Sequence, residues 1–424
     1  ADVIRFSNTI GTNTIIQRDG AKVGLLVSAG GEQEGAFTDD SGKAPLVAPE
    51  MIIGLDEETA LDGAVRKAPT PTAILEAAQT LIDNGARCLV VAFDHSDACA
   101  DNEHLVRATV KREYPRDYLG SVPVFLASDI TPRPGTMQRR NAAVVNAYIH
   151  GKLVRLLYKA GEDLRRRSYQ NTLLIGHNNG TVARVAKTRA INTYNSGPAA
   201  GLLGAREVGR LYGIDNLITT DMGGTSFDIG YVAAGQPGYA LEPDIEGFPC
   251  NLPMLDIRAF GAGGGSIAHV ENGNLEVGPQ SAGAAPGPVC FNLGGTAPTL
   301  TDANLVSGII DPDYFLGGTI RLARDRATAV IAETIAQPMG VSMEEAAVAI
   351  RRRIEQAMGR EVATIAEKLP DKNKVTIVAY GGAGAVHACA IAAAAGFDRL
   401  IITPHSAVSS AFSSSLLDVG HLYY

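Results

Sequence analysis

The chain has 424 residues, a net charge of −8 and five cysteines, with 46% hydrophobic and 19% charged residues. That balance excludes a disordered or collagen-like chain, and no run of about 18 uncharged apolar residues offers a membrane helix. The mild acidity argues against a nucleic-acid partner, because the basic triplets Arg165–Arg167 and Arg351–Arg353 fall in helical stretches and read as solvated or subunit-facing helix faces.

At about 100–200 residues per domain, the length predicts two or three domains. The first 70 or so residues read as short strands and turns, with a strand at Val23–Val27 and a turn cluster at Thr38–Gly42. From Thr72 the pattern becomes α/β. A helical period over Ala73–Asn84 leads to a buried-type strand at Arg87–Phe93. A helix at Glu103–Tyr114 leads to a second such strand at Val122–Ala127. Residues 140–167 read as one long amphipathic helix with an expected break near Gly151. The strand Thr172–Ile175 follows, then Ser196-Gly-Pro198, an N-cap region for a helix to about Leu211. Ser342-Met-Glu-Glu345 is a capping box. It opens a helix whose apolar residues Ile350, Ile354, Met358, Val362 and Ile365 step by four or three. The strand Val375–Tyr380, a glycine turn, an alanine-rich helix and a last strand at Arg399–Thr403 complete the order. Strand–turn–strand and strand–glycine–helix units alternate, so the class is α/β. Ala1–Ser7 lacks the basic and apolar regions of a signal peptide. Cys88, Cys99, Cys250, Cys290 and Cys389 form no Cys-x-x-Cys pair, so reduced thiols in a cytoplasm are expected.

Glycine is unevenly spread. Residues 221–295 hold 16 of the 47 glycines, twice the uniform share, between strand-like segments. Such a surplus marks sharp turns or close backbone approach. Three loops stand out. In Asp221-Met-Gly-Gly-Thr-Ser-Phe-Asp228 a strand leads into a tight turn and another leads out. Amides of Gly223 and Gly224 can converge on an anion, and the Thr225 and Ser226 hydroxyls add donors. Asp221 and Asp228 cannot bind phosphate directly. They can hold a Mg²⁺, directly or through water, and one can act as a base. The second loop, Gly261-Ala-Gly-Gly-Gly-Ser266, suits a backbone nest, with Gly263, Gly264, Gly265 and Ser266 as nucleotide-binding candidates. The third, Gly381-Gly-Ala-Gly384, lies between a strand and a helix; its small residues let an adenine or ribose lie flat against the backbone.

Other polar residues have plainer readings. His387 follows the third loop and can simply cap its helix. His95 and His104 lack zinc spacing, and Cys250 and Cys290 lack a local base for a thiol nucleophile. Asp302 and Asn304 either face a cleft or cap the next turn.

Together these loops resemble the actin-like ATPase superfamily, and the chain is identified as a member of the hydantoinase A/5-oxoprolinase family. The marks are Asn195-Ser-Gly-Pro-Ala-Ala-Gly201, Asp221–Ser226, Gly261–Ile267, Gly278-Pro-Gln-Ser-Ala-Gly283, Pro298-Thr-Leu-Thr-Asp-Ala-Asn304, Tyr380–Gly384 and Gly11-Thr-Asn-Thr14. Gly11–Arg18 and Asn178–Lys187 look most like the kinase-type subunits of acetone and acetophenone carboxylases. The resemblance implies a two-lobed actin-like (ribonuclease H-like) fold with an interdomain nucleotide cleft. It also implies an N-terminal lobe over residues 1–135 and a nucleotide-binding lobe over 136–424. Implied cofactors are ATP and Mg²⁺, with Asp221 at the metal and Gly381, Gly382, Ala383 and Gly384 at the adenosine. Thr12, Asn13, Asp302, Asn304 and His387 are the weaker substrate candidates. The implied activity is transfer of a γ-phosphoryl group to a ketone or bicarbonate for carboxylation, beside a hydantoinase B-type subunit in a hetero-oligomer. Two rivals stay open: ATP-dependent opening of a cyclic amide, and a non-catalytic scaffold subunit.

Members of that family begin with a further Asp-x-Gly-Gly-Thr loop ahead of Gly11 and continue past a segment like Asp418-Val-Gly-His421. Two expectations fit: a shortened subunit with half a phosphate clamp, or part of a longer chain.

Overall fold

The structure, a computed structural model, describes residues 2–33, 44–115, 117 and 121–420. The turn expected at Thr38–Gly42 and residue His421 lie outside the described residues. The chain forms two compact units. One comprises Ala1–Gly197, Tyr239–Leu255 and Leu417–Tyr424; the other comprises Pro198–Gly238 and Asp256–Leu416.

The first unit opens with β1 (Ile4–Phe6) and α1 (Ile10–Gln17). The sequence predicts only strands and turns here. The β-branched run Ile-Gly-Thr-Asn-Thr-Ile-Ile favours a strand by local propensity, but Gly11, Thr14 and Ile15 form one buried helical face, and that burial wins. Strand β2 (Val23–Ser28) is the centre of a parallel sheet, with β3 (Ile52–Leu55) on one side. On its other side lie β4 (Cys88–Ala92) and then β5 (Val124–Leu126). All residues of β2 and β4 are buried, which explains their unbroken apolar sequences. Helices α2 (Pro71–Asp83) and α3 (Asp101–Glu113) connect the strands, and Thr70 caps α2 by accepting from Ala73 N at 3.2 Å.

Helix α4 (Thr136–Arg166) runs without the break expected at Gly151. One glycine costs a helix only about 1 kcal/mol against alanine, and thirty other residues carry the element. Its buried stretch from Ala142 to Ile149 belongs to the first unit's core. The compact units are therefore not divided at 135/136: α4 packs with the segment before it. Strand β6 (Leu173–Gly176) pairs in parallel with β1 and antiparallel with β7 (Val182–Arg184).

In the second unit, which includes α5 (Ser196–Tyr212) from Pro198 onward, the central strand is β8 (Leu217–Met222). It pairs antiparallel with β9 (Phe227–Ala233), whose far side pairs with β10 (Ile257–Phe260). A hairpin of β11 (Ser266–Glu271) and β12 (Asn274–Ser281) follows, then α6 (Leu300–Val306) and α7 (Met343–Ala366). The other side of β8 pairs in parallel with β13 (Thr376–Tyr380), and α8 (Gly384–Ala395) leads to β14 (Leu400–Ile402), parallel to β13. The last helix is α9 (Ser409–Ser414). The Ser342–Glu345 capping box forms as predicted, with Glu345 N donating to Ser342 Oγ at 3.2 Å and Ser342 N to Glu345 Oε2 at 2.9 Å. Ile350, Ile354, Met358, Val362 and Ile365 of α7 are all buried. Among the described residues no helix is long and apolar enough to cross a membrane.

Candidate functional site

Strands β8 and β9 join through Gly223–Ser226, a turn closed by Gly223 N donating to Ser226 O at 3.1 Å. Asp221 and Asp228 are direct cross-strand partners, so both carboxylates stand on one face of the hairpin. Ser226 Oγ donates to Asp228 Oδ2 at 3.3 Å. Ser410 Oγ donates to Asp221 Oδ2 at 2.9 Å. Burial pushes the Asp221 carboxyl above its usual range, and the Ser410 hydrogen bond only partly offsets this. Gly224 and Thr225 are exposed at the tip of the turn.

The second glycine loop packs directly on this turn. Gly264 N donates to Gly223 O at 3.0 Å and Gly265 N to Gly224 O at 2.7 Å. Within the loop, Gly263 N donates to Ser266 Oγ at 2.9 Å and Ser266 N to Gly263 O at 3.0 Å. The backbone N–H groups of Gly263, Gly264, Gly265 and Ser266 are thus all engaged inside the protein. The expected open nest is instead a brace behind the turn, because its amides donate to three carbonyls and the Ser266 hydroxyl rather than to solvent. Its glycines allow the close approach. A Cβ on Gly263 would stand 2.6 Å from Gly224 C and 2.8 Å from Thr225 N.

The third loop braces the other side. Ala383 N donates to Met222 O at 2.9 Å and Gly381 N to Ser406 O at 2.9 Å. Gly381 has φ +93°, and a Cβ there would collide with Asp221 Oδ1 and Met222 O. Around Gly382 a Cβ would meet nothing within 4 Å. Burial also raises the Tyr380 phenol well above its ordinary value.

The structure thus brings together Asp221, Asp228 and all three loops in one unit. Asp302, Asn304 and His387 belong to that same unit. Thr12 and Asn13 belong to α1 of the first unit. Thr12 Oγ1 donates to Asn195 Oδ1 at 3.1 Å and accepts from Asn195 N at 3.1 Å. Asn13 is exposed, with its amide 3.4 Å from Thr9 Oγ1. Asp302 is fully buried and caps α6: its carboxylate accepts from Thr299 N, Thr299 Oγ1, Val289 N and Cys290 N at 2.8–3.2 Å. Three donors converge on Oδ2 and one on Oδ1 of a side chain that is fully buried, so the capping alternative holds. Asn304 and His387 are also interior and bonded to each other at 3.0 Å, which removes both as direct substrate contacts. Burial raises the Cys250 and Cys290 thiols far above the thiol range, which disfavours a thiolate at either. Sequence reasoning missed Ser410 and Thr301; the serine-rich run 406–415 was the available signal for the first.

A magnesium ion needs few protein ligands, one or two carboxylates with water and phosphate oxygens completing its shell. Two carboxylates on one face of the hairpin, beside a turn tip with exposed backbone, fit that requirement. Asp221, desolvated and held by the Ser410 hydroxyl, is the group a cation would most relieve.

These features define an α/β protein built around a strand–turn–strand glycine loop that two further glycine loops brace. The chain belongs to the hydantoinase/oxoprolinase family: that family's model matches residues 139–421, and the model of its N-terminal region matches residues 1–114. It is 34% identical over 447 residues to the acetophenone carboxylase gamma subunit of Aromatoleum aromaticum, covering 100% of this chain and 60% of the relative. It is 32% identical to the caprolactamase subunit alpha of Pseudomonas jessenii, covering 97% of this chain and 61% of the relative. The nucleotide-free structure of acetone carboxylase superposes with a TM-score of 0.88 at 27% identity, covering 98% of this chain and 61% of that one. The chain therefore spans about three fifths of the length of the relatives it matches.

Proposed function

We propose that this chain binds Mg-ATP at the Gly223–Ser226 turn and acts as the ATP-dependent subunit of a ketone carboxylase of the acetone or acetophenone type. The observation that carries the reading is the turn itself. Its tip is exposed, two carboxylates flank it on one face, and glycine loops hold it from both sides. Phosphoryl transfer is catalysed mainly by positioning and charge neutralisation, and a braced turn supplies the first. Asp221 and Asp228 would hold the Mg²⁺, which supplies the second. Gly224, Thr225 and Ser226 would contact phosphate oxygens, and Gly382 with its neighbours would leave room for the adenosine. The γ-phosphoryl group would pass to the oxygen of a small carbonyl substrate or of bicarbonate. Carboxylation itself would fall to partner subunits, a hydantoinase B-type chain among them. A two-lobed actin-like fold and a cytoplasmic location belong to the same proposal; the described cysteines are free thiols, which suits a reducing compartment.

The likeness to caprolactamase supports a second reading, in which the phosphorylated atom is the oxygen of a cyclic amide. ATP hydrolysis by the purified complex, measured with ketones and with lactams, separates the two. In the same assay Asp221→Ala is expected to lower turnover by about 10²-fold or more, the usual scale for loss of an electrostatic group. Unchanged turnover would sink the nucleotide-site assignment.

A further inference from the structure

The braces around the turn are joined behind it by one buried side-chain pair. Thr301 holds the second loop: its N–H and its hydroxyl both donate to Gly264 O, at 2.8 and 2.7 Å. Thr301 lies in the first turn of α6, and Asn304 follows three residues later. Asn304 Nδ2 donates to His387 Nε2 at 3.0 Å. His387 lies in the first turn of α8, which leaves the third loop beside Ala383, and Ala383 N donates to Met222 O. Gly264 N, at the other end of the path, donates to Gly223 O. The links close a ring: turn, second loop, α6, Asn304, His387, α8, third loop, and back to the turn.

The pair is chemically specific. Asn304 is 3% exposed and His387 0%. Because Asn304 donates to Nε2, the imidazole proton sits on Nδ1, which donates to Glu355 Oε1 of α7 at 2.7 Å. Glu355 also accepts from Arg351 at 3.4 Å. Glu355 thereby sets the tautomer that lets His387 accept from Asn304. Asn304 Oδ1 is left buried without a partner, so the arrangement is not the one that stability alone would select. Apolar residues would fill the same space without an orphaned acceptor.

We propose that the Asn304–His387 pair is a positioning device, which sets the spacing of the second and third loops and so holds the turn between them. The proposal rests on the reading of that turn as a phosphate site for its consequence in catalysis, but its structural part stands separately. The test is amide hydrogen exchange at Gly264, Gly265 and Ala383 in the complete complex, beside ATP kinetics. His387→Ala and Asn304→Ala are expected to speed exchange at these amides by about tenfold, with kcat falling more than KM rises. Two further variants separate positioning from mere support. Gln at 387 can still reach Asn304 and loses Glu355; Asn at 387 keeps Glu355 and loses Asn304. His387→Gln is expected to retain protection and turnover, and His387→Asn to lose both, at matched urea stability. Equal behaviour of the two overturns the proposal, as does unchanged exchange in folded His387→Ala. If the alanine variants do not fold, Thr301→Val must speed exchange at Gly264, and no change there overturns it. Faster exchange together with an Asp221→Ala enzyme that turns over ATP normally would refute the nucleotide reading and leave the brace in place.

Discussion

A single methyl group on Gly263 tests whether the second loop acts as a brace. In Gly263→Ala the new Cβ would lie 2.6 Å from Gly224 C, 2.7 Å from Gly224 O and 2.8 Å from Thr225 N. These are backbone atoms of the turn, with no flexible side-chain end to swing aside. Reaching an ordinary 3.4 Å contact from 2.6 Å requires the loops to part by about 0.8 Å. Overpacking of this kind costs about 1–3 kcal/mol. At about 2–4 °C per kcal/mol for a domain of this size, the melting temperature should fall by roughly 2–12 °C. The effect on chemistry should be larger in proportion, since a displacement near 1 Å can cost about 10²-fold in rate. The assay is thermal unfolding of the complex and steady-state ATP hydrolysis on the same preparation. Gly382→Ala is the control for unfolding, because its Cβ would meet nothing within 4 Å, and the wild type is the reference for ATP hydrolysis. A Gly263→Ala protein that melts like Gly382→Ala and hydrolyses ATP like the wild type would refute the argument that the second loop presses on the turn.

Asp221 should set stability against function. Its folded-state carboxyl value is raised by burial, so its contribution favours the fold below the ordinary carboxylate range and is lost as pH rises through the raised value. In metal-free buffer at neutral pH, Asp221→Asn should therefore melt higher than the wild type while losing ATP turnover. The gap in melting temperature should close as pH falls below the carboxylate range, and a constant gap would count against burial as the cause. Asp302→Ala should act in the opposite sense. It strands three buried backbone donors and the Thr299 hydroxyl, at about 1–3 kcal/mol for each buried group left unpaired, so urea unfolding should shift by several kcal/mol. A direct substrate role for Asp302 would instead lower activity at unchanged stability.

The α/β class, the buried parallel strands and the α7 capping box were legible because their signals are local: apolar runs, a period of three or four, a Ser three residues before a Glu. The helix at Ile10–Gln17 was not, because its β-branched sequence points one way and its buried face the other. The glycine loops show the same limit more sharply. From sequence, Gly263–Ser266 and Gly223–Ser226 are equivalent candidates for an anion nest. Which amides stay available depends on tertiary pairing, and the Gly264 and Gly265 amides end on carbonyls of the first loop. The glycines then separate by physical role. At Gly263 and Gly381 a Cβ would strike backbone atoms closer than 3.0 Å, so these positions require glycine for close approach. At Gly224 and Gly382 a Cβ would meet nothing within 4 Å, so packing does not require glycine there. A ligand drawn close to the backbone would require it, and both positions lie where the phosphate and adenosine contacts are proposed. Replacing these two by alanine should therefore leave the free protein unchanged and show its effect only when nucleotide is added.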